Sequence, residues 1–444
     1  MYSNIIYRSL PVFFQNVYIS VINLIKLFLR EDKLAKETEQ QLNRNEKDEA
    51  QLSDYCVKRL NASLNNAVNN VNYYKGKNTI ITSFDFIDKN TVREDPSSFY
   101  NHNYVGVKFN GATSGTTGSP LVIPQSAESV KRERAFANRQ RRWAGFEQGD
   151  KRAWIRGDMI VPLEQKKAPF WRYSYFENMI MLSSFHMAQQ NLQSYIEAMQ
   201  NYKVNVIQAY PSSIVTLAKY LESNEQYYLG NLKSIITSSE SLSKEDKNLI
   251  EKRFRCTVFD WYGLFERVAA IASCEHGRYH ILTDYAHVEL LPAGKTEDGR
   301  DRAEIIGTNF NNSLYPLIRY KTGDHVVLSD EPNCSCGRVY PIVEAIEGRV
   351  GDYLLAEDGQ KVHILNHIPK GVEGLIATQF IQDKKNEITI LVVTDKEKFD
   401  QKQISILIAN AKSRLGMSIT FDVKKVEKLP RTNNGKIRQA ICSL

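Results

Sequence analysis

From Asn191 onward the chain alternates helix and strand, and this alternation constrains the fold more than any other feature. A helical stretch leads into the apolar strand Val204–Gln208. Pro211 then precedes a helix opening at Ser212-Ser213. Strand Ser234–Thr237, a helix over Ser243–Phe254 and strand Cys256–Phe259 follow. Units of this size pack as parallel strands with helices on the sheet faces. The expectation is an α/β protein, its large N-terminal domain built of mixed and parallel sheets with helices. After Val268 the texture turns to strand and turn, at Tyr279–Leu282, His287–Leu291, Ala303–Ile306 and Val326–Leu328. A β-rich subdomain is expected over about 268–350. Beyond Gly351-Asp352 the pattern restarts with strands Ile376–Ile381 and Glu387–Val393, helix Ile404–Leu415 and strand Ile419–Val426. That predicts a small, mobile α+β domain over 352–444, after a large domain over 1–351.

The 444 residues suffice for more than one domain. A hydrophobic share of 42% and a charged share of 25% exclude a disordered chain. The net charge of +7 is diffuse; it suits anionic ligands without arguing for nucleic acid. Six cysteines are sparse for a disulfide scaffold and fit a reducing cytoplasm. The first thirty residues are fairly apolar, but Arg8, Pro11, Gln15, Asn16, Asn23 and Lys26 interrupt them. No run is expected to reach bilayer-spanning length, and no signal peptide is expected. The segment reads as an amphipathic helix packed on the body, with weak membrane-surface contact as the lesser alternative. Ser126–Trp143 reads as a helix whose basic face, including Arg134, Arg139 and Arg142, is expected to be solvated.

Chemistry-bearing motifs fall at wide intervals. Val105–Phe109 reads as a strand, and Gly111-Ala112-Thr113-Ser114-Gly115-Thr116-Thr117-Gly118-Ser119-Pro120 follows it. Glycines let backbone N–H groups approach a ligand, and hydroxyls add donors for phosphate oxygens. No Gly-Lys-Ser/Thr follows, so this is not a Walker A loop. In a parallel sheet, ligands bind beyond the carboxyl ends of the strands. Ser238-Ser239-Glu240-Ser241 and Asp260-Trp261-Tyr262-Gly263-Leu264-Phe265-Glu266 belong there. The second offers rings for stacking and a carboxylate suited to Mg²⁺. Tyr320-Lys321-Thr322-Gly323-Asp324, Gly348-Arg349-Val350-Gly351-Asp352 and Pro430-Arg431-Thr432-Asn433-Asn434-Gly435-Lys436 complete the set. Each alone is as well explained by a turn; their order is the signal.

In this order the motifs resemble the core motifs of the adenylate-forming superfamily of acyl-CoA synthetases, across nearly the whole chain. The branch most resembled is the phenylacetate–CoA ligase family, and within it the CapK-like group linked to capsule and surface polysaccharide synthesis. Tyr262–Ala270, Tyr210-Pro-Ser-Ser213 and Leu10–Gln15 carry that finer resemblance. It implies ATP-dependent activation of a carboxylic acid to an acyl-adenylate with release of pyrophosphate. The acyl group then passes to a thiol, on CoA or a carrier protein, or to an amine such as that of an amino sugar.

The implied roles fall residue by residue. Thr113, Ser114, Gly115, Thr116, Thr117 and Gly118 hold the β- and γ-phosphates, Thr116 among the catalytic groups. Glu266 holds Mg²⁺. Tyr262 stacks on adenine beside Gly263, with Ser239 and Glu240 at its edge. Asp324 and Arg349 fix the ribose. Lys436 reaches the α-phosphate and the acid, and Asp352 is the hinge. Leu121 stands where many members carry lysine, and Phe265 where a hydroxyl residue is commoner. Phe170, Trp171, Tyr173, Asn178 and Tyr210 are candidates for the acid pocket.

Cys274-x5-His280 and Cys334-x-Cys336 offer three thiols and an imidazole in two short-spaced pairs, a tetrahedral set for structural Zn²⁺, with His276 as alternative nitrogen ligand. The phenylacetate branch shows similar residues. Two other readings compete with the enzyme: a catalytically weak nucleotide-binding regulator, and a zinc-bearing nucleic-acid-binding protein. The second expects aromatics interleaved with basic residues on one face, a pattern not found in the sequence.

Overall fold

Strand and helix alternate between residues 192 and 263 of the computed structural model much as the sequence pattern requires. The structure describes residues 5–112, 121–296, 298–347, 353–362, 365, 368–369, 371–395, 397–432 and 435–444. The chain divides into two compact units. One comprises Met1–Asn23, Glu147–Val258 and Val350–Leu444, and the other Leu24–Phe146 and Phe259–Arg349. Residues 350–444 thus cluster with 147–258, whereas the sequence pattern divides the chain at 351/352. That boundary itself lies outside the described residues.

In the first unit the strands lie in the order Ser234–Ser238, Val206–Ala209, Arg152–Ile155, Met179–Leu182, Trp171–Ser174. The first four run parallel, and Trp171–Ser174 is antiparallel to its neighbour. Such strands are covered on both faces and therefore read as continuous apolar runs. Helices Leu192–Tyr202, Pro211–Ser223 and Lys244–Phe254 cover one face, and Tyr7, Ile19, Ile160 and Val161 pack with Met179 and Met181 on the other. Pro211 sits in the first turn of its helix, where its missing N–H costs nothing. Ser243 caps the next helix by accepting from the Asp246 N–H at 3.0 Å. Ala153, Ile155, Ile180, Ile207, Leu217, Ile235 and Phe254 are buried together in the resulting core.

The C-terminal part of this unit has its own four-stranded sheet, in the order Thr420–Lys425, Glu387–Thr394, Leu375–Lys384, Ala440–Cys442. Helix Gln401–Leu415 packs on it through Leu407, Ala411 and Leu415, against Phe380, Ile388 and Ile390. This is the small α+β architecture expected.

The second unit carries the β-rich region. Its strands follow the order Ala286–Lys295, Asp301–Asn309, Tyr320–Leu328, Ile342–Glu347, Tyr279–Ile281, Ala270–Ser273, and then the part of Thr257–Gly263 from Phe259 on. The pairings among them are antiparallel. The strand read over Val105–Phe109 lies later, at Lys108–Ala112, and pairs antiparallel with Val122–Ser126. A hairpin therefore brackets the Ser/Thr/Gly stretch, of which Thr113–Pro120 lie outside the described residues.

Two expectations are overturned. The basic face of helix Ala127–Trp143 is not solvated. Arg139 and Asp284 are fully buried as an ion pair at 2.7 Å, and the Tyr340 hydroxyl joins both. Arg134 pairs with Glu31, and Arg142 with Glu46. The partners lie at either end of the second unit's sequence, so the helix alone gave no sign of them. The N-terminal helix runs without a break from Val12 to Arg30 and is, by length and composition, long and apolar enough to cross a membrane. Its polar interruptions recur on one helical face, so they narrow the apolar surface without shortening it.

Candidate active site and metal centre

Lys436 stands on a tight turn in the small sheet domain. Gly435 N–H donates to Thr432 O at 2.8 Å, and Thr432 N–H donates to Lys436 O at 2.9 Å. Gly435 has φ +74°, a conformation that side chains rarely adopt, and a Cβ there would lie 2.4 Å from the Gly157 Cα. Only glycine lets the turn approach the first unit's sheet this closely. Arg431 closes the turn by donating to Gly435 O at 2.7 Å and reaches Ser213 Oγ at 3.4 Å.

Glu240 fastens this turn to the loop after strand Ser234–Ser238. One carboxylate oxygen accepts from the Ile437 N–H at 3.1 Å, and the other from the Ser212 N–H at 2.9 Å. Burial pushes the Glu240 carboxyl above its ordinary pKa, and burial holds Arg431 below its own. Glu240, assigned by the motif to the edge of adenine, engages the backbone beside Lys436. Ser239, at φ +74°, accepts from Arg156 Nη2 at 2.7 Å. The Arg156 guanidinium lies 5.0 Å from the Tyr210 ring centroid, and Lys436 Nζ lies 5.9 Å from the same ring. Two cations, one aromatic face and the Ser239 hydroxyl are thereby brought together beyond the carboxyl ends of parallel strands. A cation over a ring is held by the ring's quadrupole.

Of the acid-pocket candidates, Tyr210 lies beside Lys436. Phe170 is buried against His186 and Tyr195. Trp171 and Tyr173 belong to an edge strand, and Asn178 ends a short turn at φ +46°. Arg156 and Gly157 escaped the sequence reading because they belong to none of the motifs; only the strand Arg152–Ile155 before them hinted at a position beyond a strand end.

The second unit holds the other motif residues. The Tyr262 hydroxyl donates to Asp324 at 2.8 Å. Thr322 Oγ1 accepts from the Asp324 N–H at 3.0 Å, and Gly323 takes φ +73°. Glu266 is buried and accepts from the Tyr320 hydroxyl at 3.2 Å. Gly263 ends its strand with Trp261 close by; a Cβ would lie 2.7 Å from the indole nitrogen. Phe265 packs against Gly111 at the mouth of the hairpin, and its carbonyl accepts from Gln125 at 3.1 Å. Thr113, Ser114, Gly115, Thr116, Thr117, Gly118, Arg349 and Asp352 lie outside the described residues.

The cysteine and histidine pairs converge in the same unit. The ligand atoms of Cys274, His280, Cys334 and Cys336 all lie within 4.8 Å of one another. Cys274 and Cys334 sulfurs are 3.6 Å apart, and Cys336 Sγ is 3.4 Å from His280 Nε2. Zinc–sulfur bonds of ~2.3 Å at tetrahedral angles put sulfurs ~3.8 Å apart, so the set fits zinc. Two matched turns build it: Gly277 N–H donates to Cys274 O, Gly337 N–H donates to Cys334 O, and both glycines take φ +73°. His276 is exposed and outside the cluster. Burial pushes the Cys274 thiol up to about 12 and the His280 imidazole down to about 4. Cys274 and His280 thus favour their neutral forms until a cation compensates the burial.

A family model described as CapK C-terminal domain matches residues 354–443. The chain is 26% identical to Protein CapK of Staphylococcus aureus over 451 aligned residues, covering 99% of each. It is 23% identical to a phenylacetate-coenzyme A ligase of Pseudomonas putida, over 62% of this chain and 66% of that one. Its fold matches that of a 2-hydroxyisobutyryl-CoA ligase solved in the postadenylation state, with a TM-score of 0.62 at 16% identity, covering 87% of this chain and 89% of that one. The resemblance carried by the motifs is therefore borne out: the chain is similar to Protein CapK along its whole length, its residues 354–443 match the CapK C-terminal domain model, and its fold is like that of an adenylate-forming CoA ligase.

Proposed function

We propose that the protein activates a small carboxylic acid with ATP and transfers the acyl group to a second substrate. The observation that supports this most is the docking of the Lys436 turn: Gly435 against Gly157 and Ile437 on Glu240 bring Lys436 beside Tyr210. In the first step a carboxylate oxygen of the acid attacks the α-phosphorus in line. The bond from that phosphorus to its bridging oxygen breaks, and pyrophosphate leaves with the electron pair. Lys436 and Arg156 supply positive charge where negative charge develops. In the second step a thiol or amine attacks the acyl carbon, and AMP departs.

By the motif assignment, the 113–118 loop holds the terminal phosphates, Tyr262 and Asp324 with Arg349 hold the nucleoside, and Ser239 lines its edge. Glu266 is the ligand for Mg²⁺, which screens phosphate charge when bound. Cys274, His280, Cys334 and Cys336 hold a structural Zn²⁺, since four protein ligands leave no open position. Both ATP and free thiols suit the cytoplasm, and the motif resemblance to the CapK-like group favours a role in surface polysaccharide synthesis with a thiol or amino-sugar acceptor.

The test is acid-dependent pyrophosphate release over a panel of carboxylic acids, with CoA, carrier-protein thiols and amino sugars offered in turn. Release that follows one acid class supports the reading. ATP binding without release under any acid points to the regulator instead. Lys436→Ala is expected to bind ATP and lose pyrophosphate release by several orders of magnitude; near-normal release overturns its assignment.

A further inference from the structure

Helix Val12–Arg30 turns its polar face toward the protein and its apolar face away from it. Its buried residues are Gln15, Asn16, Ile19, Ser20 and Asn23. Gln15 accepts from Arg172 and donates to Tyr7 O at 3.1 Å. Asn16 Oδ1 accepts from the Tyr173 N–H at 3.0 Å, and Ser20 Oγ from the Tyr175 N–H at 2.9 Å. Asn23 donates to Ser174 Oγ at 3.1 Å. On the other side Phe14, Val17, Val21, Ile25 and Phe28 are between 40% and 74% exposed. Their spacings of three and four residues put them on one stripe along the helix. A surface helix of a globular domain normally buries its apolar stripe. Here it is presented outward, and Tyr175 and Phe176, beside the Ser20 contact, extend it onto the body at 49% and 59% exposure.

A contiguous exposed apolar patch of this kind marks an interaction surface. Charge selects its occupant. The first thirty residues contain Arg8, Lys26 and Arg30 and no Asp or Glu; Arg8 pairs with Glu164 at 2.6 Å, and Lys26 and Arg30 belong to the helix itself. A helix this apolar, with an outward apolar stripe, Lys26 and Arg30 toward its end and no acidic residue, suits the boundary between acyl chains and anionic headgroups, which long basic side chains reach past the helix body. A helix of this length lies ~28 Å along such a surface. Spanning is disfavoured, because crossing would strip Gln15, Asn16, Ser20 and Asn23 of their partners and place them in hydrocarbon.

We propose that helix Val12–Arg30 lies in the plane of an anionic lipid surface, apolar stripe down, and holds the protein on the membrane through its outward-facing phenylalanines and aliphatic residues.

The test is flotation of the full chain with vesicles of phosphatidylcholine alone and with about 30 mol % phosphatidylglycerol. The parent is expected to float with the anionic vesicles, bind the neutral ones about tenfold less, and be released by alkaline carbonate. Phe14→Glu and Phe28→Glu are each expected to weaken flotation about tenfold. Their circular dichroism and melting temperature should match the parent, since both sites are exposed. A parent that fails to float overturns the proposal, as do variants that float like the parent. Resistance to carbonate would overturn it in favour of a spanning helix. A parent dimer that either variant dissociates, with no vesicle binding, would assign the stripe to a second copy of the chain.

Discussion

Gly435 sits at φ +74° with its Cα side facing Gly157, and the position of Lys436 depends on that approach. Gly435→Ala places a Cβ 2.4 Å from the Gly157 Cα and adds backbone strain, so the turn must back away. A misplacement of this size costs about 10²-fold in a reaction that depends on alignment. Pyrophosphate release is expected to fall by about that factor while ATP binding holds. An unchanged rate would show that the docked turn is not the adenylating arrangement. The lysine and glycine of this turn were legible as motif letters in the sequence. The pairing of Glu240 with Ile437 N–H was not, because a backbone donor has no letter of its own.

At the scale of elements, the matched turns Cys274–Gly277 and Cys334–Gly337 bring ligands sixty residues apart to one point. Cys334→Ser should lower zinc content and melting temperature together, by several degrees, because metal binding is coupled to folding. Zinc analysis beside thermal unfolding checks this; a zinc-free parent refutes the site. In chelated protein, His280 adds a pH dependence. Its folded pKa is about 4, below the 6.5 of an ordinary imidazole, so the unfolded chain takes up the proton first. Stability is therefore present above about pH 6.5 and declines as pH falls toward 4, by on the order of 2–3 kcal/mol. Urea unfolding across that range measures it, and a flat profile would exclude His280 as the cause.

Helix Ala127–Trp143 makes the other element-scale case. Asp284→Ala leaves Arg139 charged in a fully buried place and should cost about 3–5 kcal/mol in urea unfolding. A loss below about 1 kcal/mol would mean that water reaches the arginine.

For the whole molecule, the proposed reaction asks one small domain to serve two steps. The docked turn would present Lys436 in the first, and the acceptor would need that space in the second. On that proposal residues 352–444 take two poses, with the turning point assigned to Asp352. Proline there fixes φ near −65° and restricts the change a hinge must absorb. Asp352→Pro is expected to keep most pyrophosphate release and slow acyl transfer at least tenfold. Both are measured on one preparation; equal loss of the two, or loss of neither, removes Asp352 as the pivot.

Whatever depends on local order could be read from the residues in line. The strand–helix alternation after Asn191, the small α+β end and the β-rich stretch were all readable, because periodicity and breakers act within a few residues. The motif letters and the cysteine spacing were readable for the same reason. What depends on partners far along the chain became visible once the chain was folded. Arg139 is a buried ion rather than a solvated one because Asp284 and Tyr340 come to meet it. Residues 350–444 cluster with 147–258 because Glu240 and Gly157 receive the Lys436 turn. The helix Val12–Arg30 was legible as amphipathic, but amphipathicity does not say which face turns inward. Strand Trp171–Ser174 and the turn at Tyr175 settled that by offering backbone and hydroxyl partners to the helix's polar residues, which left its apolar residues outside.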